Sequence, residues 1–310
     1  MSIGGIDLVV LIASLMVAST PILLAAIGEL VAEKSGVLNL GVEGMMIMGA
    51  ICGFIVAVHS GSPVLGFAAA AVGGVVMALL FALLTQLLLS NQVATGLALT
   101  LFGLGLSSLL GQGYNGVKPP PTAKLDLGPL SDIPVIGPIL FHHDWVVYLS
   151  LAVVAAVWAV LRYSRIGLIL RAVGENHDAA HALGYRVRTV RMLALAFGGA
   201  CAGVGGAYIS LVRVPQWTEG MTAGAGWIAL AIVVFASWRP WRVLLGAYIF
   251  GGVTVLQLRL QAAGIAIPVQ ILSMAPYLIT ILVLVIMSAR RGRAALGAPA
   301  SLGRIFHASN

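Results

Sequence analysis

IDLVVLIASLMVASTPILLAAIG, residues 6–28, is an apolar run with a single charged side chain, Asp7, near its start. As a helix it is long enough to cross a bilayer core of roughly 30 Å. No basic residues precede it and no clear cleavage site follows, so we expect a membrane span rather than a signal peptide. Similar runs recur along the chain, in which 60% of the 310 residues are hydrophobic and only 9% charged. Because soluble domains need charged surfaces, the composition predicts an all-α polytopic membrane protein.

The apolar runs predict about nine transmembrane helices in one domain over residues 1–310. The predicted spans cover residues 6–28, 37–58, 64–90, 93–111, 145–161, 191–212, 226–238, 243–260 and 269–288. The seventh is short, so we expect it to be tilted or joined to a re-entrant piece. The longest outer loop, residues 112–144, contains six prolines that exclude a long helix, and we expect an ordered cover there.

Basic residues are distributed unevenly over the loops. The net charge of +7 therefore indicates membrane topology and not binding of nucleic acid. With nine alternating spans, thirteen of the basic residues fall on one face. They are Lys34, Arg162, Arg165, Arg171, Arg186, Arg188, Arg191, Arg239, Arg242, Arg290, Arg291, Arg293 and Arg304. The positive-inside rule then predicts a cytoplasmic C-terminus and an outer N-terminus. Trp217, Trp227, Trp238 and Trp241 are predicted to lie in the interfacial aromatic belts.

The segment RAVGENHDAAHALGYRVRTVR, residues 171–191, is polar and basic between two apolar spans. We expect Gly174 to Gly184 to form one short amphipathic helix in the cytoplasm. Its apolar surface rests either on lipid or on a partner protein. His177 and His181 are four residues apart, as in some zinc sites, but no third ligand lies nearby. We therefore expect no metal, either here or at His142-His143-Asp144, and solvated histidines at both places.

Polar side chains within or next to the spans are candidates for lining a solute path, because such groups are costly in a bilayer. The candidates are Asn39, Glu43, Asn91, Gln92 and Thr95. Glu43 stands out as the only strong candidate for an intramembrane carboxylate. The alternatives are structural: Glu43 pairs with Lys34 or reaches the membrane surface, and the amides and hydroxyls form hydrogen bonds between helices.

Several blocks of the sequence are similar to one family. Asp178-Ala179-Ala180 followed after three residues by Gly184 resembles the coupling motif of ABC importer permeases, with Asp in place of Glu. Four further blocks resemble the permeases for branched-chain amino acids, ribose-type sugars and nucleosides, and most of all the nucleoside and simple-sugar branch. They are GELVAEKSGVLNLGVEGMMIMGA (28–50), NQVATGLALTLFGLGLS (91–107), TEGMTAGAGWIALAIVVFASWRPW (218–241) and LQLRLQAAGIAIPVQILSMAPYLITILVLVI (256–286).

The resemblance implies a transport subunit without a catalytic site of its own. The chain has no GxxxxGK[ST] motif, so ATP and Mg²⁺ would bind to partner ATPase subunits. The segment 171–191 would dock on an ATPase. Its predicted coupling residues are Gly174, Glu175, Asn176, Asp178, Ala179, Ala180, Leu183 and Gly184.

The family further implies a second permease chain, usually a different one, and an extracytoplasmic solute-binding protein. It places the complex in the lipid of a bacterial cytoplasmic membrane. A nucleoside is the first expected solute, followed by a simple sugar and then a riboflavin-type compound. Two other classes remain as alternatives: an ion-coupled secondary transporter, which should show intramembrane carboxylates and inverted repeats, and an intramembrane metalloprotease.

Overall fold

The computed structural model describes residues 2–3, 6–125, 128, 133, 136–262, 274, 278, 281–282, 285 and 297–307. Two strands of two residues each, Ser2–Ile3 (β1) and Ile6–Asp7 (β2), pair antiparallel at the start, and the rest of the described architecture is helical. The helices are α1 (Leu8–Lys34), α2 (Val42–Ser60), α3 (Pro63–Ala82), α4 (Gln92–Gly111), α5 (Ile136–Leu140), α6 (Trp145–Tyr163), α7 (Arg165–Glu175), α8 (His177–Ala182), α9 (Val187–Tyr208), α10 (Ala225–Phe235) and α11 (Pro240–Ala262).

Among the described residues, seven helices are long and apolar enough to cross a membrane: α1, α2, α3, α4, α6, α9 and α11. This confirms the prediction of an all-α polytopic membrane protein. The predicted seventh span is the short helix α10, which has 11 residues and cannot cross a bilayer alone. Most of the predicted ninth span, residues 269–288, lies outside the described residues.

Helix α9 lies at the centre of the fold and packs against α1, α2 and α3. Small residues permit this packing because backbones approach one another without side chains between them. A Cβ atom on Gly206 would collide with the Met46 carbonyl group, and one on Gly49 would collide with the backbone of Gly203. Close helix packing around Gly203 therefore fixes the positions of the helix ends that carry the sites described below.

Helix α1 continues to Lys34, six residues past the predicted end of the first span. The extension carries Glu29 and Glu33 into the protein, where both residues are fully buried. The expectation that Glu43 is the only strong intramembrane carboxylate is therefore wrong. The apolar pattern ended the span too early because it cannot show that neighbouring helices cover the last two turns of α1.

The predicted single helix from Gly174 to Gly184 is two helices, α7 and α8, separated at Asn176. Asn176 has an extended backbone (φ −150°, ψ 98°), and its side chain accepts hydrogen bonds from the Asp178 and Ala179 amides at 3.1 and 3.0 Å. An Asn in this geometry is an N-cap, so it starts a new helix instead of continuing the old one. Helix α7 is amphipathic and buries Leu170 and Val173.

The outer end of the fold contains buried polar groups where solvated ones were expected. Asp144 caps α6 through the Val146 and Val147 amides and accepts a hydrogen bond of 2.7 Å from the Tyr208 hydroxyl. His143 is buried and lies 2.7 Å from the Ile139 carbonyl oxygen. The expectation of a solvated His143 is wrong, because the outer loop pairs with this segment: the Leu125 amide donates to the His143 carbonyl oxygen at 2.9 Å. Part of that loop, including most of residues 126–135, lies outside the described residues.

Candidate functional site

Helix α8 ends in a turn that only glycine adopts easily. Gly184 has φ +87°, and two backbone hydrogen bonds close the helix: Gly184 N–H to His181 O at 2.8 Å and Tyr185 N–H to Ala180 O at 3.1 Å. This pair of bonds is the Schellman motif, in which a left-handed residue reverses the chain after the last helical turn. Nothing lies within 4 Å of the place where a Gly184 Cβ would stand. The turn is therefore built by the local sequence and projects away from the rest of the chain.

The exposed surface of α8 differs from the one that the sequence predicted. Ala180 was expected to face a partner, but it is buried with Val173, Val187 and Phe306. Gly174 is also buried. The side chains that remain open are those of Glu175, Asn176, Asp178, Ala179, His181, Ala182, Leu183 and Tyr185. Leu183 is 76% exposed, a larger fraction than for the other large apolar side chains that the structure describes, and it forms an apolar knob at the end of the segment.

His177 is buried, in contrast to the solvated histidine expected from the sequence. Its Nδ1 lies 3.3 Å from Arg191 Nη2, and its Nε2 lies 3.5 Å from Asp178 Oδ1. Because a guanidinium only donates, Nδ1 must accept, which requires this nitrogen to be unprotonated. Burial and the neighbouring Arg191 charge both lower the pKa of His177. Within the described residues, no three His, Cys, Asp or Glu side chains are grouped as metal ligands.

Asn39 lies in the turn between α1 and α2, beside Glu29, one of the two buried carboxylates that the sequence did not predict. Its Nδ2 donates to Glu29 Oε2 at 3.1 Å, and its Oδ1 accepts from the Gly41 amide at 3.1 Å. Glu33 accepts a hydrogen bond from the Trp238 indole. One oxygen of each carboxylate, Oε1 of Glu29 and Oε1 of Glu33, is buried with no partner among the described residues. Trp238 was predicted to lie in an aromatic belt, but it is buried and its indole is bonded to Glu33 of α1.

Glu43 is buried at the start of α2 and caps the N-terminus of α10. Its Oε1 accepts from the Thr222 hydroxyl at 2.6 Å and from the Gly224 amide at 2.9 Å, and its Oε2 accepts from the Gly226 amide at 2.7 Å. A carboxylate is well suited to this position because the first N–H groups of a helix have no partners within it. The expected partner Lys34 instead donates to the Gly297 carbonyl oxygen at 2.9 Å.

The remaining path candidates lie at the start of α4. Asn91 is the N-cap of α4 and accepts from the Ala94 amide at 3.0 Å. The Thr95 hydroxyl lies 2.8 Å from that of Ser90. Gln92 Oε1 accepts from the Leu38 amide at 2.8 Å, whereas Gln92 Nε2 is buried with no partner among the described residues. Of these three side chains, Gln92 has a buried donor, Nε2, that is available to hydrogen-bond a solute.

Sequence reasoning missed Arg191, which was counted only among the basic residues of a cytoplasmic loop. It is the fifth residue of α9 and is fully buried. A signal was present in the sequence, since Arg191 stands directly before the apolar run of α9 and one turn after Val187. A basic residue at that place is also the usual flank of a span, so the pattern alone favoured exposure.

Comparison with known proteins agrees with this architecture. The family model of the branched-chain amino acid transport system permease component matches residues 11–289. The putative glucose ABC transporter permease protein TsgC13 of Haloferax volcanii is 41% identical, over 92% of this chain and 93% of its own. The guanosine permease NupQ of Bacillus subtilis and the nucleoside permease NupC of Lactococcus lactis are 31% and 32% identical, each over 89% of this chain and 91% of their own.

No solved structure matches the chain. The match of the family model over most of the helices, together with relatives that align along nearly their whole length, decides the family. The chain belongs to the branched-chain amino acid transport system permease family and is an ABC transporter permease component.

Proposed function

We propose that this chain is the membrane-spanning subunit of an importer and that α8, with the turn at Gly184, is the coupling helix on which an ATPase subunit docks. The observation that carries this proposal is the exposed end of α8, where Leu183 projects beyond a glycine turn that meets nothing else in the chain. An apolar side chain held on a closed, rigid turn suits a groove in a partner protein. ATP and Mg²⁺ then belong to that partner, and this chain contributes no catalytic group.

The same proposal gives the orientation and the assembly. Residues 297–307 contact Gly174 and Glu175, so these parts of the chain lie on one face, and the arginines of α7 and of the α8–α9 connection make that face cytoplasmic. The N-terminus is then outside a bacterial inner membrane. We further propose that the chain has about nine spans in one domain. As the family resemblance implies, it would assemble with a different second permease chain and an extracytoplasmic solute-binding protein.

For the solute we propose a neutral, hydroxyl-rich molecule: a nucleoside first and a simple sugar second. NupQ and NupC are named for guanosine and nucleosides, whereas TsgC13 is named for glucose, and all three align along most of this chain. Both kinds of solute present hydroxyl groups that amide side chains bind well. Uptake of radiolabelled guanosine, with unlabelled nucleosides or glucose as competitors, separates the two.

Of the path candidates, Gln92 has the strongest structural support, because its Nε2 group is an available donor. Asn39, Asn91 and Thr95 use polar atoms in contacts within the chain, and Glu43 serves as a cap. Gln92→Glu keeps an acceptor for the Leu38 amide and removes the donor. We expect reduced uptake with normal assembly; equal loss of assembled complex and uptake would support a structural role for this side chain.

The docking proposal is tested by Leu183→Asp, which places a charge on the exposed apolar knob without altering a buried contact. Thr189→Asp is the matched control, since Thr189 is also exposed and lies on the other side of the α8–α9 connection. We expect Leu183→Asp to lose the ATPase on purification and to lose uptake, while Thr189→Asp keeps both. Retention of the ATPase by both variants would show that it docks elsewhere.

Gly184→Leu is a weaker test of docking than Leu183→Asp. With φ +87°, a leucine there would strain the turn itself, whatever the partner does. A loss of activity in that variant would therefore not separate a clash with the ATPase from a local rearrangement of α8.

A further inference from the structure

Residues 297–307, here called the strap, cross the same face as α8 and join separate parts of the chain. The Ser301 amide donates to the Gly174 carbonyl oxygen at 2.9 Å, and the Gly303 amide donates to the Gly36 carbonyl oxygen at 3.1 Å. Gly36 has φ +88°, and a Cβ there would lie 3.0 Å from Arg191 Nη2 and 3.3 Å from the Ser301 carbonyl oxygen. The strap, α7 and Arg191 therefore meet around Gly36, in the turn after α1.

Phe306 of the strap lies beneath α8. Its ring meets the rings of His177 and His181 edge-on, with centroid distances of 5.4 and 5.3 Å. With Val173, Ala180 and Val187 it forms a small apolar cluster that is separate from the main core. A helix of six residues is too short to be stable alone. The position of α8 therefore depends on this cluster.

Arg191 connects the same helix to the membrane domain. Its guanidinium donates to four acceptors on four different elements. They are the Ser35 carbonyl oxygen after α1 at 3.2 Å, Gln86 Oε1 after α3 at 3.4 Å, the Arg304 carbonyl oxygen of the strap at 3.1 Å and His177 Nδ1 of α8 at 3.3 Å.

A buried cation normally pairs with a carboxylate, because burial removes its hydration. None lies within salt-bridge distance of Arg191 among the residues that the structure describes. The fixed fork of five N–H donors is what allows one side chain to reach four places. Such an arrangement maintains the relative positions of α8, the end of α1 and the π-helical turn Leu83–Leu87 that continues α3. A side chain with fewer donors could not reproduce it.

We propose that Arg191 and Phe306 are positioning residues of the coupling site, which hold α8 so that movement imposed on it reaches α1 and α3. The inference rests on the proposed function, since it takes α8 to be the coupling helix. It assigns a second role to the cytoplasmic face: α8 presents the surface to the ATPase, and the strap with Arg191 fixes that surface to the transmembrane helices. When the fixation is lost, the ATPase still binds but its motion is not transmitted.

The first test is hydrogen exchange on the purified chain, at the four amides that close α8: those of Ala180, Leu183, Gly184 and Tyr185. Phe306→Ala should speed their exchange roughly tenfold or more, because it removes the ring beneath the helix. Phe306→Leu keeps an apolar filling and should restore most of the protection. His307→Ala, on an exposed neighbour, is the matched control and should change nothing.

The second test uses the complex with its ATPase and solute-binding protein in lipid nanodiscs and proteoliposomes. We expect Phe306→Ala and Arg191→Gln to retain the ATPase and to hydrolyse ATP, with uptake reduced by about tenfold or more and hydrolysis no longer stimulated by solute. A purely structural defect would lower assembled complex, hydrolysis and uptake together. Ser301→Ala removes only the 3.2 Å hydrogen bond to the Glu175 carbonyl oxygen and provides a milder variant should Phe306→Ala not fold.

The outcomes are distinct. Faster exchange in α8 together with hydrolysis that is uncoupled from uptake supports the proposal. Unchanged exchange, or faster exchange with normal uptake, overturns it. If the wild-type chain retains no ATPase, the proposed function itself fails and the positioning role fails with it. If the wild-type chain retains the ATPase and Phe306→Ala behaves like His307→Ala, only the positioning role fails.

Discussion

Glu43 provides the sharpest test of whether a buried polar group in this chain serves transport or structure. Glu43→Ala would leave the Gly224 and Gly226 amides without their acceptor, and each unpaired buried N–H costs about 1–3 kcal/mol. Two such groups give a loss of roughly 2–6 kcal/mol, since the Thr222 hydroxyl can rotate toward another acceptor. Glu43→Gln retains one oxygen for Thr222 and Gly224 and faces Gly226 with a donor, so one unpaired group and about 1–3 kcal/mol are expected.

The assay is thermal unfolding of the purified chain in detergent, combined with hydrogen exchange at the Gly224 and Gly226 amides. The order of stability should be wild type, then Glu43→Gln, then Glu43→Ala, and exchange at the start of α10 should rise in the same order. Glu219→Gln is the matched control, because Glu219 is an exposed carboxylate on the same connection. Normal stability and exchange in Glu43→Gln, with lost uptake, would refute the capping role and return Glu43 to the solute path.

Three further predictions concern packing, acid and the outer face. Gly203→Ala should destabilise the chain by about 1–3 kcal/mol through overpacking, whereas Gly105→Ala, with nothing within 4 Å of its Cβ, should be neutral or stabilising by up to about 1 kcal/mol in the same thermal assay. His177 has a folded pKa below its unfolded value, so its contribution is complete above about pH 6.5 and is lost as the pH falls below that value; His177→Asn, which keeps an acceptor near the Nδ1 position, should flatten this part of the curve of melting temperature against pH. Tyr208→Phe removes the donor to Asp144 and should cost about 1.5–3 kcal/mol in chemical unfolding, without changing uptake per folded molecule.

The transmembrane helices were predictable because each is decided by its own composition. An apolar run must form a helix in lipid, where unpaired backbone groups are too costly, and this rule needs no knowledge of neighbouring helices. The rule fails where neighbours decide. Glu29 and Glu33 ended the first predicted span, yet α1 continues past both because neighbouring helices cover its last turns: Gly198 of α9 lies against Gly28 and Ala32, and Gly174 of α7 lies against Lys34. Ala225–Phe235 is apolar enough for a span but too short, since the Gly224 turn and the Glu43 cap begin it late.

In the coupling segment, too, features set by the local sequence were predictable and features set by distant residues were not. Gly184 as the end of a helix was predictable, because the left-handed turn depends on one glycine and the hydrogen bonds of its own helix. Which alanine faces outward was not, because Ala180 is buried by Phe306, a residue 126 positions away that no helical periodicity connects to it. His177 was expected in solvent for the same reason: its partners, Arg191 and Phe306, belong to other elements.

The polar residues of this chain show why composition identifies a permease more easily than its working parts. A charged group buried in a membrane protein is costly, so an intramembrane carboxylate or arginine indicates a stabilising contact within the protein and does not by itself reveal its purpose. Glu43 and Arg191 have similar positions in the sequence, since each is a charged residue at the edge of an apolar run. The structure separates them by the number of elements each one joins: Glu43 links α2 to the start of α10, whereas Arg191 contacts three distinct parts of the chain besides α8. A cap can be lost with a purely local effect. Arg191 joins the proposed coupling helix to the strap, to Ser35 after α1 and to Gln86 after α3, so we expect its loss to change how motion passes between them. The uptake and hydrolysis measurements on Arg191→Gln are designed to detect this difference.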